Sequence, residues 1–300
     1  PAVLGHEPSG RVAARGDAVP DRFKEGTPVL VQGGYYAEDD IYTLKGLNQM
    51  ALKPAQSWDG SYGLHGGCYA EYFLVPSYRY LVPAEGLDDL EAAAVLTDAG
   101  LTPYRAVKNG LKMVADFAEP GDFALVVGVG GLGLFGAQWV NALAPHLNLI
   151  AVDVRPEALE LAGKVAKIHT AVDAKRENPV EAVKKAMGSG KLMAVFDFVG
   201  NEHTVSAYAD LLAPEGVYVV VDLGGARASF SVADLVLKEK KIVGSLWGSV
   251  SDLKEVVEYV KRGAVSYKPL VTKRWRLDDI NTAFEEMRSG RHVGRMVVVP

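Results

Sequence analysis

Apolar positions change rhythm twice along this chain. Up to about Leu87 they come as short β-branched or aromatic runs cut by Gly and Pro, as in residues 26–31 and 69–76, without a helical period. Such punctuation predicts short strands in a β-rich, partly barrel-like unit. Between those runs, 32–67 carries Gly, Tyr and Asp and reads as loop. From Leu87 helical spacing takes over. Residues 90–96 form a strong helix former behind Asp88 or Asp89 as N-cap, and 102–112 follows with Pro103 in its first turn. A fully apolar run at 124–127 and mainly apolar, strand-like runs at 149–152, 194–198, 217–221 and 242–246 then alternate with helical stretches, including one ending near Leu143, 156–165 and 203–212. Apolar strands alternating with helices predict a parallel sheet covered on both faces, with four strands plain and one or two more expected. The tail reads as amphipathic helices at 251–262, opened by Ser251-Asp252, and 278–288, then a closing strand at 295–299.

Composition narrows the class. A chain of 300 residues suits one very large domain or two ordinary ones. Apolar residues at 49% and charged residues at 23% exclude a disordered or collagen-like chain. A formal net charge of −5 leaves no basic footprint for nucleic acid. The single cysteine, Cys68, excludes an intrachain disulfide and a multi-cysteine zinc knuckle, and fits a reducing, cytoplasmic setting. Glycines break the longest apolar stretch, 123–140, into strand, turn and helix, so it does not read as a membrane span. The chain opens on Pro1, in what reads as the middle of a structured region. The expectation is that a natural N-terminal stretch precedes it.

The sequence Gly128-Val129-Gly130-Gly131-Leu132-Gly133 matches G-x-G-x-x-G between a predicted strand and a predicted helix. In that context the first glycine permits a tight turn, the second lets a pyrophosphate approach the backbone, and the third lets helix and strand pack closely. The helix N-terminus would offer free N–H groups to phosphate. Asp153, 20 residues beyond Gly133, ends the next strand. A carboxylate there accepts from a ribose and repels a 2′-phosphate, which favours NAD over NADP. Arg155 pulls the other way, because an arginine nearby can accommodate that phosphate.

His6-Glu7, within Gly5-His6-Glu7-Pro8-Ser9-Gly10-Arg11-Val12, is the other chemically suggestive segment. A lone histidine is more often structural or solvated. The segment gains meaning because G-H-E-x-x-G-x-V resembles the zinc-site segment of the zinc-dependent alcohol dehydrogenases, in the medium-chain dehydrogenase/reductase superfamily. Gly66-Gly67-Cys68-Tyr69-Ala70-Glu71-Tyr72 resembles that family's G-G-x-A-E-Y strand. Residues 91–102 resemble its helix and following zinc-ligand turn, Gly128 to Gly133 its cofactor turn, and Val243-Gly244-Ser245-Leu246 with Gly294-Arg295 its closing segments. The likeness spans essentially the whole chain and is strongest to archaeal-type, NAD-dependent members.

The resemblance implies an α/β protein: a Rossmann doubly wound parallel sheet (103–246) inserted in a β-rich, GroES-like catalytic domain (1–102 and 247–300), with the active site in the cleft between the two. It implies reversible hydride transfer between a primary or secondary alcohol and NAD, giving an aldehyde or ketone. His6 and Asp98 become ligands of one catalytic zinc, with Glu7 supporting the site. The first ligand, a cysteine expected upstream of His6, has no counterpart here. Thr102 is implied near the nicotinamide, Leu223 and Leu246 would present backbone to its carboxamide, and Arg295 would reach the pyrophosphate. Bland readings stand beside these: Asp98 as a helix-end cap, Leu223 and Leu246 as strand-end core residues, Arg295 as a surface cation.

The chain also departs from the pattern. The lobe that holds a structural zinc in many relatives has no cysteine here. Tyr35, Tyr36, Asp39, Asp40 and Tyr42 occupy it, so no structural zinc is expected. Cys68 reads as a packed small residue and Asp222 as a solvated loop acid. Trp58 and Trp247 are candidates both for an apolar substrate pocket and for ordinary packing. The expected partner is a small alcohol, aldehyde or ketone, with no membrane and no nucleic acid, in a homo-dimer or homo-tetramer. The rival readings are a zinc-free NADPH quinone or enoyl reductase of the same superfamily, and an inactive nucleotide-binding fragment.

Overall fold

The computed structural model describes residues 3–51, 54–57, 67–225 and 227–300. Contacts divide the chain into two units, one of Pro1–Leu101 with Trp247–Pro300 and one of Thr102–Leu246. The first unit opens with β1 (Ser9–Arg11), β2 (Pro28–Val31), β3 (Gly34–Tyr36), β4 (Pro54–Ser57) and β5 (Leu81–Pro83). β1, β2 and β5 form an antiparallel sheet, and β3 pairs with β4. The expected strand at 69–76 is absent. The donors leading into it are spent on irregular bonds instead: Gly67 N–H to Val3 O, Cys68 N–H to Gly5 O and, at its first residue, Tyr69 N–H to Leu4 O. Such bonds replace a regular ladder, and Pro76 has no N–H to extend one.

Helix α1 (Ile41–Leu44) sits in the cysteine-free lobe, capped by Asp40, whose Oδ1 accepts from Tyr42 N–H at 2.8 Å. The run at 90–96 does not make one helix. α2 (Leu90–Ala93), capped by Asp89, tightens into a 3₁₀ turn over Ala94–Thr97, closed by Thr97 Oγ1 donating to Ala94 O at 2.8 Å. That tightening sets where Asp98 emerges. α3 (Leu101–Val114) then carries the chain into the second unit.

The second unit is built on β6 (Phe123–Val127), β7 (Asn148–Asp153), β8 (Thr170–Asp173), β9 (Leu192–Asp197), β10 (Leu212–Val220) and β11 (Lys241–Gly244). All pairings are parallel, in the order β11-β10-β9-β6-β7-β8. The chain runs outward from β6 to one edge, returns beside it as β9, and runs to the other edge. This is the doubly wound Rossmann order. The strand β8 escapes a hydrophobicity reading because only Val172 of its four residues is buried. Helices α4 (Gly133–Leu143), α5 (Pro156–Val165), α6 (Pro179–Met187), α7 (Glu202–Ala209) and α8 (Val232–Leu237) connect the strands.

Asp197, fully buried at the end of β9, organises the following loop. Its Oδ1 accepts from the N–H groups of Val199 and Gly200, and its Oδ2 from Thr204 Oγ1 and Tyr218 Oη. Burial, reinforced by Asp197, pushes the Tyr218 phenol far above its ordinary value, so it stays a donor. Asp197→Ala would strand several buried donors at once. We expect a stability loss on the order of 3–5 kcal/mol, read from urea midpoints. A change within about 0.5 kcal/mol, the usual size for a surface site, would refute this role.

The chain returns to the first unit as α9 (Val250–Lys261), β12 (Val271–Arg276), α10 (Ile280–Arg288) and β13 (Arg295–Val299), the last strand parallel to β12. α9 starts earlier than its sequence suggests, because Ser249 and Asp252 form a reciprocal capping box. Among the described residues no helix is long and apolar enough to cross a membrane.

Candidate active site

In the first unit, two loops 92 residues apart in sequence bring His6 Nε2 to 3.1 Å from Asp98 Oδ2. His6 follows Gly5, whose φ of +98° turns the backbone back toward Cys68 and Tyr69. Asp98 follows the 3₁₀ turn. The Asp98 hydrogen bond, against the effect of burial, raises the His6 pKa. Both side chains keep solvent access, at 42% and 22% exposure.

Glu7 points elsewhere. Its Oε1 accepts from Ala99 N–H at 2.9 Å, and its Oε2 pairs with Arg295. Glu7 thus ties the backbone just past Asp98 to β13. Burial pushes its carboxyl up while the Arg295 charge pulls it down. Burial pushes the Cys68 thiol up to about 12, which keeps it protonated and a poor ligand. A cavity of about 750 Å³ in this unit reaches His6 and Glu7 and is walled by Phe23, Val29, Val31 and Tyr78.

Sequence reasoning missed the support around the pair. Trp247 Nε1 donates to Thr97 O at 3.0 Å, and its ring meets the His6 imidazole edge-on, centroids 5.6 Å apart. Gly33 lies under the indole, where any Cβ would overlap the ring. Buried Gln32 donates from Nε2 to Gly248 O at 3.2 Å and accepts at Oε1 from Asn48 Nδ2 at 3.0 Å. The Trp247–Thr97 and Gln32–Gly248 links join residues 150 and 216 positions apart, so no local signal in the chain announces them. Trp58 and Gly66 lie outside the described residues.

In the second unit the glycine turn joins β6 to α4. Gly128 has a φ of +78°, and a Cβ on Gly133 would collide with the Gly128 carbonyl oxygen. Gly130 has only Arg155 Nη2 near its open side, 3.2 Å from where a Cβ would sit, and Gly131 and Leu132 complete the turn before the helix. Asp153, at the end of β7, accepts at Oδ2 from Val129 N–H at 2.8 Å and at Oδ1 from Arg155 N–H at 2.9 Å and Nε at 3.3 Å. One carboxylate therefore braces the turn and the cation beside it. Thr102 is buried in the first turn of α3, and Leu246 is half-exposed after β11. Leu223 is 90% exposed, with its N–H donating to Asp222 Oδ1 at 2.6 Å. Asp222 thus has a local partner.

The family described as alcohol dehydrogenase GroES-like domain matches residues 1–86, and that described as zinc-binding dehydrogenase matches 131–262. A protein of Sulfurisphaera tokodaii named NAD-dependent alcohol dehydrogenase is 35% identical over all of this chain and 82% of its own length. The chain belongs to the zinc-type alcohol dehydrogenases, within the medium-chain dehydrogenases/reductases. The D-arabinose 1-dehydrogenase (NADP(+)) of Saccharolobus solfataricus is 30% identical, with the same coverage. Among solved structures, the alcohol dehydrogenase of the archaeon Aeropyrum pernix superposes with a TM-score of 0.85 at 29% identity, covering 99% of this chain and 82% of that one. As a member of this family, the protein is an oxidoreductase acting on alcohols.

The fit of a zinc ion can be tested on the His6–Asp98 geometry. Two ligands about 2.0–2.1 Å from a tetrahedral zinc stand about 3.3 Å apart. The observed 3.1 Å is close to that edge, and imidazole with carboxylate is an acceptable donor pair. Among the described residues, no group of three or more His, Cys, Asp or Glu side chains gathers to hold a metal. The pair fits as two of the three protein ligands that a catalytic zinc takes.

Proposed function

We propose that this protein is a zinc-dependent alcohol dehydrogenase that moves hydride reversibly between a primary or secondary alcohol and NAD. The observation that carries the reading is the convergence of His6 Nε2 and Asp98 Oδ2 at ligand-pair spacing. His6 and Asp98 would hold one catalytic zinc. A zinc bound there supplies Lewis-acid chemistry, lowering the pKa of an alcohol at its open position. Glu7 fixes the Asp98 loop through Ala99 and is itself neutralised by Arg295. In this reading the turn from Gly128 through Gly130, Gly131 and Leu132 to Gly133 cradles the pyrophosphate. Thr102, Leu223 and Leu246 flank the nicotinamide. We assign no structural zinc to the 32–51 lobe, where Asp40 is spent on capping α1 and Glu38 on Arg79. Homo-dimers or homo-tetramers in the cytoplasm complete the reading, by analogy with the family.

Zinc content per chain of the full-length natural protein, with alcohol oxidation before and after chelation, tests this. About one zinc per chain and chelator-sensitive activity are expected. Dinucleotide binding without zinc would instead favour the zinc-free reductase reading.

Asp153 is proposed to select NAD, with Arg155 as the element favouring NADP. Asp153→Asn keeps an acceptor for Val129 N–H but removes the charge facing a 2′-phosphate. The ratio of kcat/KM for NADP to that for NAD should rise about tenfold or more, because like-charge juxtaposition is costly. An unchanged ratio would assign cofactor choice elsewhere.

A further inference from the structure

Trp247 holds a backbone conformation that bulky residues rarely adopt, with φ at +42°. Its side chain is only partly buried, so burial alone gives no reason to accept that strain. Residues in such regions persist where their surroundings over-determine them, and they cluster at functional sites. The surroundings here do over-determine it. Nε1 donates to Thr97 O, one residue before Asp98. The ring stands edge-on to the His6 imidazole, at an interplanar angle of 78°. Cζ2 and Cη2 rest on Gly33, and the same open side of Gly33 faces the His6 carbonyl oxygen, 2.6 Å from where a Cβ would sit. The buried Asn48–Gln32 relay grips the next carbonyl along the chain, that of Gly248.

One indole thus touches both loops that supply the candidate ligands. A histidine's χ2 torsion is broad and roughly two-fold, so one hydrogen bond to Asp98 leaves the imidazole free to tilt. An aromatic edge against the ring removes that freedom. Anchoring the same indole on the Thr97 carbonyl fixes the Asp98 loop relative to it.

We propose that Trp247 is a positioning residue for the His6–Asp98 pair, setting the imidazole tilt at which Nε2 and Asp98 Oδ2 stand at metal-ligand spacing. The inference rests on the zinc reading above for its functional meaning. Partners that orient metal ligands are worth about 10–100-fold in metal affinity. Trp247 acts by contact with a ligand ring and a ligand-bearing loop, in place of the hydrogen bond such partners usually make.

The test uses Trp247→Leu and Trp247→Phe with Co²⁺ as the probe. Metal-free protein is titrated with Co²⁺, reading the visible absorption and the affinity against a competing chelator, with thermal unfolding alongside. Trp247→Leu should bind Co²⁺ about 10–100-fold more weakly, with a shifted spectrum. Trp247→Phe keeps the edge contact but loses the Nε1 donor, and should fall between Leu and wild type. Wild-type affinity and spectrum in both variants would overturn the proposal. If Trp247→Leu fails to fold, Trp247→Phe decides alone: a weakened affinity with a shifted spectrum supports the proposal, and wild-type values overturn it. If the full-length wild-type protein itself binds no Co²⁺, the zinc reading fails. The positioning inference is then judged on crystals of metal-free Trp247→Leu, which lacks both the edge contact and the Nε1 donor. An imidazole rotated off Asp98 sustains it, and a pair still 3.1 Å apart overturns it.

Discussion

Asp98→Ala is expected to leave the protein without zinc and to lower kcat/KM for alcohol oxidation by a factor of about 10²–10⁴, the equivalent of the several kcal/mol a Lewis-acid metal supplies. Asp98 is one of two side chains that meet at ligand spacing, and the backbone that carries it is pinned on both sides. Thr97 O accepts from the Trp247 indole, and Ala99 N–H donates to Glu7. Truncation to Ala therefore removes a donor atom while leaving the loop in place. Zinc analysis and steady-state kinetics on the same preparation check it. The competing reading of Asp98 as a turn acid predicts full zinc and a modest fall in stability, so zinc retained with kcat/KM near wild type would refute the ligand role. His6→Ala should match Asp98→Ala in both measurements, because both act through one ion.

Gly133→Ala is expected to disrupt dinucleotide binding by about a hundredfold or more and to cost about 1–3 kcal/mol of stability, the usual penalty for overpacking. The new Cβ would meet the Gly128 carbonyl oxygen, which is backbone and held by the turn, so neither neighbour can swing aside. Relief requires moving the first turn of α4 away from β6, which displaces the N–H groups that would face phosphate. Gly130→Ala is the informative contrast. Its Cβ would approach only Arg155 Nη2, the far end of a flexible side chain, so the free protein should keep its stability and lose only affinity. NADH fluorescence titration with urea unfolding separates the two. Equal stability losses in both variants would show that the turn responds to bulk in general rather than to the contact with the Gly128 carbonyl.

Much of the second unit was legible because its signals are local. A buried parallel strand reads as a near-continuous apolar run, as β6 does throughout and β9 does up to Asp197, and a helix that starts on a proline declares its first turn, as α5 does at Pro156. The glycine turn and Asp153 were legible for the same reason, since strand, turn, helix and acid follow one another within one stretch of chain. Boundaries slipped where a side chain rather than a hydrophobic period sets the end. Ser249 starts α9 through its capping box, and the run behind Asp89 tightens to 3₁₀ before Asp98. The strand expected at 69–76 failed because backbone pairing is a long-range choice, and the donors of Gly67, Cys68 and Tyr69 at its entry went to residues 3–5.

The chain's own pattern determined a parallel sheet covered on both faces and a glycine turn between strand and helix, because local period and residue type carry that information, and the family resemblance singled out His6 and Asp98 as candidates. The tertiary structure alone decided that those two side chains meet, that Glu7 turns to Ala99 and Arg295, and that Trp247, Gly33 and Gln32 brace the site. Those facts depend on contacts across tens to hundreds of residues, and no periodicity encodes a separation of 92, 216 or 288 positions.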